Sequence, residues 1–273
     1  MNDQLPDRDG PDPAFLARVR AQTPARLLTG RAGGSYRTST WLELRADHAA
    51  ARDAVRDAID LDRDLGRAFL DRWDVFEVAT LAGSKDEYLL RPDLGRSLAA
   101  EAREALAARR MKGVDAQLVL GDGLSAAALV AQAPKLVPAL ADELAANGLG
   151  VGLPFFVRNC RVGVMNDVGD VLAPAVVILL IGERPGLATA ESLSVYLAYR
   201  PKPGDDDSRR NLISNIHARG VPIDQAAARV VHLARRMIAD QTSGVAIKET
   251  WTPALAASKC LGEDHQRAPG QGP

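Results

Sequence analysis

The sequence carries almost no net charge: 34 lysines and arginines stand against 35 aspartates and glutamates, leaving −1. Without a basic field it has no means of neutralising a phosphate backbone, which argues against nucleic acid as a partner. Aromatic residues make up only 4%. Much of the apolar content is alanine, so a helix-rich protein with short side chains between its layers is expected. Long hydrophobic runs are missing too. The longest, residues 171–181, is about half of what a membrane-spanning helix needs and reads as a buried strand. The polar N-terminus lacks the apolar stretch of a secretory signal.

Cysteine is scarce. Cys160 and Cys260 sit far apart, with only His265 near either of them, and a disulfide framework or a structural zinc site needs more than that. Cys160 lies near Phe155, Phe156 and Val157 and reads as a small buried hydrophobe; such sparing use of cysteine points to the reducing cytoplasm. The four histidines, His48, His217, His232 and His265, are not at ligand spacing, so no protein-built metal site is expected. No G-x-S-x-G, H-E-x-x-H or P-loop pattern occurs, and no catalytic residue is assigned.

What is present is helical periodicity followed by α/β alternation. Residues 1–29 read as a mobile N-terminal segment with a short helix over residues 13–22. The run Gly30-Arg31-Ala32-Gly33-Gly34 lacks the lysine and Ser/Thr of a phosphate loop and reads as a turn. Residues 30–112 form a helical accessory region. Ala54, Ala58, Leu61, Leu65 and Phe69 recur at helical spacing, and a further helix is expected from Ser97, as its cap, to Met111. Pro92 forbids one continuous helix between them.

From residue 113 the pattern changes. A strand over residues 116–120, the turn Gly121-Asp122-Gly123 and a helix from Leu124 open a βαβ unit. A separate helix is expected over 134–147, then strands over 154–158, 175–181 and 194–199, and a closing helix over 223–239. The continuous apolar content of 175–181 suits a parallel sheet covered on both faces. Residues 113–248 therefore read as an α/β domain, and residues 249–273 as a disordered tail.

In an open α/β sheet, ligands bind beyond the carboxyl ends of the strands. Three segments are expected at that edge: Gly121-Asp122-Gly123, Gly182-Glu183-Arg184-Pro185-Gly186, and the turn before Leu212-Ile213-Ser214-Asn215. Glycines there allow close backbone approach to a flat ligand, and a carboxylate accepts from amide NH₂ groups. Glu183 and Arg184 read equally as a solvated pair ahead of a type II turn at Pro185-Gly186, Val162 as a core residue, and Ser214-Asn215 as a cap or turn pair.

A set of segments in order carries a resemblance: Gly30 to Gly34, Asp47-His48-Ala49-Ala50-Ala51-Arg52-Asp53-Ala54-Val55, Tyr88-Leu89-Leu90-Arg91-Pro92-Asp93-Leu94-Gly95-Arg96, Asp122-Gly123-Leu124-Ser125-Ala126, Arg161-Val162, Gly182-Glu183-Arg184-Pro185-Gly186-Leu187, Ser192-Leu193, Ile213-Ser214-Asn215-Ile216 and Ser243-Gly244-Val245. Together they resemble the small subunit of ethanolamine ammonia-lyase over residues 30–248. The resemblance implies a Rossmann-like cobalamin-binding domain behind a helical accessory region, and adenosylcobalamin as cofactor. It implies a large (β/α)₈ partner subunit that holds ethanolamine, with the corrin between the two, and a radical conversion to acetaldehyde and ammonia. A cobalamin-binding carrier or sensor without lyase activity is the alternative. The implied location is the cytoplasm, free or inside a bacterial microcompartment.

The resemblance places cofactor contacts at Val162, at Glu183, and at Leu212, where the family's Cys-Ile-Ser-Asn-Ile segment usually has its cysteine. Met165-Asn166-Asp167 likewise departs from the family's Gly-Asp. Asn215-Ile216-His217-Ala218-Arg219-Gly220 imitates a D-x-H-x-x-G loop, which in some cobalamin proteins supplies a histidine to cobalt. Asparagine replaces its orienting aspartate, and this family is expected to keep the cofactor's own benzimidazole on the metal.

Overall fold

The computed structural model describes residues 12–22, 27, 29–186 and 188–252. Cys260, His265 and most of the expected tail lie outside the described residues. In chain order, α1 (Pro13–Gln22) is followed by a small hairpin, β1 (Arg31–Ala32) and β2 (Ser35–Tyr36), around Gly33-Gly34. Gly33 takes a left-handed φ of 63°, so the glycine run is a turn. The periodic stretch that follows is three helices: α2 (Thr38–Arg56), α3 (Leu61–Asp64) and α4 (Arg67–Trp73). Asp60 caps α3 by accepting from the Arg63 amide, and Gly66, at φ 82°, precedes α4.

Next come β3 (Glu77–Ala79), α5 (Lys85–Leu90) and α6 (Ala100–Ala108). The helix expected from Ser97 begins three residues later. Residues 97–99 are tied instead to the stretch after β3, through Leu81 N–H to Ser97 C=O and Ala99 N–H to Ala79 C=O. The α/β unit runs through β4 (Ala116–Gly121), α7 (Ala126–Ala146), β5 (Val151–Arg158), α8 (Met165–Leu172), β6 (Val176–Gly182), β7 (Leu193–Tyr199), β8 (Asn211–Ile216) and α9 (Ile223–Asp240).

One long α7 replaces the two helices expected there, although Pro134 and Pro138 lie inside it. Each interior proline costs about 3 kcal/mol. Against that, Leu129, Leu136, Val137, Leu140 and Leu144 are all fully buried along α7, and each such side chain gains about 1.5–3 kcal/mol. Packing outweighs the prolines.

The six strands lie in the order β3-β5-β4-β6-β7-β8. The first four are mutually parallel, while β7 and β8 each run antiparallel to the preceding strand. The expected parallel sheet is therefore mixed. Among the described residues, the links 183–192 and 200–210 contain no α-helix, and without a helical crossover a strand pairs back antiparallel. β3 brings residues 77–79 into the sheet from before residue 113, and β8 had not been expected as a strand. Helices α7 and α9 pack with one sheet face, and α6 and α8 with the other. The second pair lies over β3 to β6; on that face Ser194 and Ala198 of β7 are still buried, while Leu212 and Ser214 of β8 are exposed.

Candidate functional site

The chain passes from β4 to β5 on one side, then from β5 to β6 on the other, so β4 and β6 are neighbours at the point where winding reverses. Their carboxyl ends diverge into loops there, which makes a crevice. A cavity of about 380 Å³ occupies it, walled by Gly123 and Leu124 after β4, Ile181 to Arg184 at the end of β6, Ser194 and Tyr196 on β7, and Leu212 and Ser214 on β8; Tyr88, Arg161 and Val162 close the far side. A wider cavity of about 930 Å³ lies at the opposite edge of the sheet, among the turns around residues 110–115, 169–175 and 200–202. It holds none of the expected contact residues, and it is formed at the amino ends of β4 and β6.

Glu183 is the most heavily bonded group in the smaller cavity. Its Oε1 accepts from Ser194 Oγ at 2.7 Å and from the Asn215 amide at 2.9 Å, and its Oε2 accepts from Ser192 Oγ at 2.7 Å. It is half-buried rather than a solvated turn residue. Asn215 reaches it in the left-handed conformation, φ 62°, which asparagine tolerates better than most residues. The adjoining Pro185-Gly186 is not a type II turn, since Gly186 has no positive φ.

Val162 opens a short 3₁₀ turn, Val162–Val164, that leads into α8. Asp122 sets its position. That carboxylate is 2% exposed and accepts from the Asn159 and Cys160 amides at 3.1 and 2.9 Å, with Lys85 Nζ 3.5 Å away. The turn after β4 thereby holds the end of β5. Asp122 is consumed inside the fold and is not available to a ligand's amides. The glycines are also used internally: a Cβ on Gly182 would fall 2.0 Å from the Ser125 carbonyl oxygen, and one on Gly123 2.4 Å from that of Gly182. These two let α7 sit close against β6.

Leu212 is a strand residue on β8, paired with Tyr196 and 44% exposed. The turn before it lies at the other edge of the sheet, because β8 runs parallel to β6; what reaches the carboxyl edge is Ser214 to His217. Val162, Glu183 and Leu212 nevertheless line the same cavity. His217 is buried, with Nε2 2.8 Å from Asn215 Oδ1 and Nδ1 accepting from the Arg219 amide at 3.3 Å. Both ring nitrogens are engaged within its own loop. His48 is exposed on α2, and His232 meets Thr250 from α9. Met165-Asn166-Asp167 is the first turn of α8, where Asn166 accepts from Arg210 and Asp167 from the Leu98 amide. Among the described residues, no group of three or more His, Cys, Asp or Glu could hold a metal ion, and no helix is long and apolar enough to cross a membrane.

Sequence reasoning missed Arg161, Tyr88 and Tyr196 as cavity residues. Arg161 stacks over the Tyr88 ring at 4.2 Å and donates to the Tyr88 carbonyl at 3.3 Å, while its Nε is buried without a partner. The Tyr88 hydroxyl donates to the Cys160 carbonyl at 3.1 Å. Burial pushes the Tyr88 phenol well above its ordinary value of 10.0, the nearby Arg161 offsetting this in part, and it pushes the Cys160 thiol above 9.0. Both groups keep protons that the unfolded chain releases. Their contribution to stability is therefore complete below about pH 9 and is lost as pH rises beyond the unfolded values. Denaturant midpoints are expected to fall between about pH 9 and 11, less steeply for Cys160→Ala; a flat profile in the native sequence would refute the linkage.

The fold and site define an α/β protein with a crevice at the winding reversal of its sheet. Residues 13–248 match the family described as Ethanolamine ammonia-lyase light chain (EutC). The chain is 42% identical over 244 residues to the ethanolamine ammonia-lyase small subunit of Clostridium perfringens, covering 89% of this chain and 80% of that one. It is 41% identical over 231 residues to that of Fusobacterium nucleatum, covering 85% and 76%, and 40% identical over 233 residues to that of Clostridium acetobutylicum, covering 85% and 94%. The chain belongs to the ethanolamine ammonia-lyase light-chain family and is, with it, a lyase subunit. The relatives' name, small subunit, implies a larger partner.

Proposed function

We propose that the chain is the small subunit of an adenosylcobalamin-dependent ethanolamine ammonia-lyase, converting ethanolamine to acetaldehyde and ammonia together with a large subunit that holds the substrate. The observation that carries this is the convergence of Val162, Glu183 and Leu212 on one cavity at the carboxyl ends of β4 and β6, within a chain of that family. The same placement supports reading residues 113–248 as a Rossmann-like cobalamin-binding domain.

The residues present suit a corrin. Its rim carries primary amides, which donate and accept. Glu183 Oε2 receives one bond and has room for another, since a carboxylate oxygen takes two. Arg161 Nε is a buried donor without a partner. Val162, Ile181 and Leu212 give apolar contact. The cavity is smaller than a cobalamin, as a site completed by a second subunit would be. Bound adenosylcobalamin supplies the radical chemistry. This chain's residues hold and orient its rim and screen it from water, and none of them is assigned as catalytic. We place the complex in the cytoplasm, free or enclosed in a microcompartment.

Co-expression with a cognate large subunit, followed by acetaldehyde assay with ethanolamine and adenosylcobalamin, tests the proposal. An assembled complex without turnover would overturn it, and tight cobalamin binding by the isolated chain would favour a carrier or sensor. Within the complex, Leu212→Cys is expected to change cobalamin affinity less than about twofold, because the position contributes shape. Leu212→Asp, which brings a desolvated charge, should weaken binding roughly tenfold or more. Equilibrium dialysis with cyanocobalamin reads both.

A further inference from the structure

On the cavity side of β7, Tyr196 carries a hydroxyl that no hydrogen bond among the described residues accounts for. Tyr196 lies on the same face of β7 as Ser194 and opposite Leu212 of β8, and it lines the cavity half-buried. The Ser192 and Ser194 hydroxyls and the Asn215 backbone amide all donate to Glu183; the Tyr196 hydroxyl has no hydrogen-bond partner among the described residues. Burial, and next the charge of Glu183, push its phenol above the ordinary value of 10.0, so it stays a donor at neutral pH.

Glu183, ringed by three donors, accepts and has nothing to give. Tyr196 beside it has a proton to give. One group with both an N–H and a C=O satisfies the two at once, and a primary carboxamide is that group. A carboxylate in its place would face the Glu183 charge across a half-buried cavity. We propose that Glu183 and Tyr196 form a two-armed receptor for one primary carboxamide of the ligand, Glu183 Oε2 taking the amide N–H and the Tyr196 hydroxyl donating to the amide oxygen, and that the pair rejects the same ligand with that amide hydrolysed to an acid. The inference rests on the cavity receiving a corrin rim and adds to it the selection of amide over acid.

The test uses the assembled complex with its large subunit. Cyanocobalamin and its positional monocarboxylic acid isomers, each with one peripheral amide hydrolysed, are compared by equilibrium dialysis. One isomer is expected to bind about tenfold or more weaker than the parent, with the others close to it. Tyr196→Phe should weaken the parent about three- to tenfold, and Glu183→Gln should bring the discriminated isomer within about twofold of the parent. Equal affinity for every isomer in the native complex would overturn the receptor. An unchanged parent affinity in Tyr196→Phe would remove the tyrosine arm. Absence of cyanocobalamin binding by the native complex would instead overturn the corrin reading itself. If either variant fails to assemble, the isomer series on the native complex still decides.

Discussion

Exchange of Glu183 for glutamine is expected to lower the cobalamin affinity of the assembled complex roughly ten- to hundredfold while leaving subunit assembly intact. The magnitude follows from losing hydrogen bonds to a charged acceptor, about 1.5–3 kcal/mol. Glutamine keeps the shape of the side chain and one acceptor oxygen, so part of the Ser192, Ser194 and Asn215 cluster survives. Its NH₂ cannot accept from an amide. Glu183→Ala removes every acceptor and strands three donors, so its effect combines lost ligand contact with a loosened β6–β7 edge. The glutamine variant is the cleaner probe. Gel filtration with cyanocobalamin dialysis checks it, and unchanged affinity in an intact complex would remove Glu183 from the site.

The second large effect is on stability. Asp122→Ala is expected to destabilise the chain by about 3–5 kcal/mol, since it leaves two buried amides, at Asn159 and Cys160, without their acceptor and a mostly buried lysine, Lys85, without its counter-charge. A domain is stable by only about 5–15 kcal/mol, so the variant should unfold at much lower denaturant. Asp122→Asn can satisfy one amide but turns a donor towards the other, and should fall between. Chemical denaturation followed by circular dichroism measures all three. A loss under about 1 kcal/mol for the alanine variant would show that the Asp122 bonds are replaced by water.

Glu183 shows how far the chain was legible and where reading stopped. Its place after the most buried strand could be read from residues 175–181, whose apolar run announces β6. Whether it faced solvent or turned into the fold could not, because the answer depends on Ser192, just before β7, on Ser194 of β7 and on Asn215 of β8. Asp122 is the converse. A carboxylate in a glycine turn at a strand end looks like a ligand contact, but it is spent on two backbone amides 37 and 38 residues away.

The periodicity of alanine and leucine, the apolar strands at 116–120 and 175–181, the glycine turns and the ordered family segments determined by sequence alone that this is an α/β lyase subunit with its crevice beyond β4 and β6. Local pattern carries that much, because helix and strand periods are properties of neighbouring residues. The tertiary structure decided that the sheet is mixed, that α7 runs through two prolines, that residues 77–79 join the sheet, and that the Tyr196 hydroxyl, near Glu183, has no hydrogen-bond partner among the described residues. Each depends on burial or pairing between residues distant in the chain, where the gain from packing overrides the local preference.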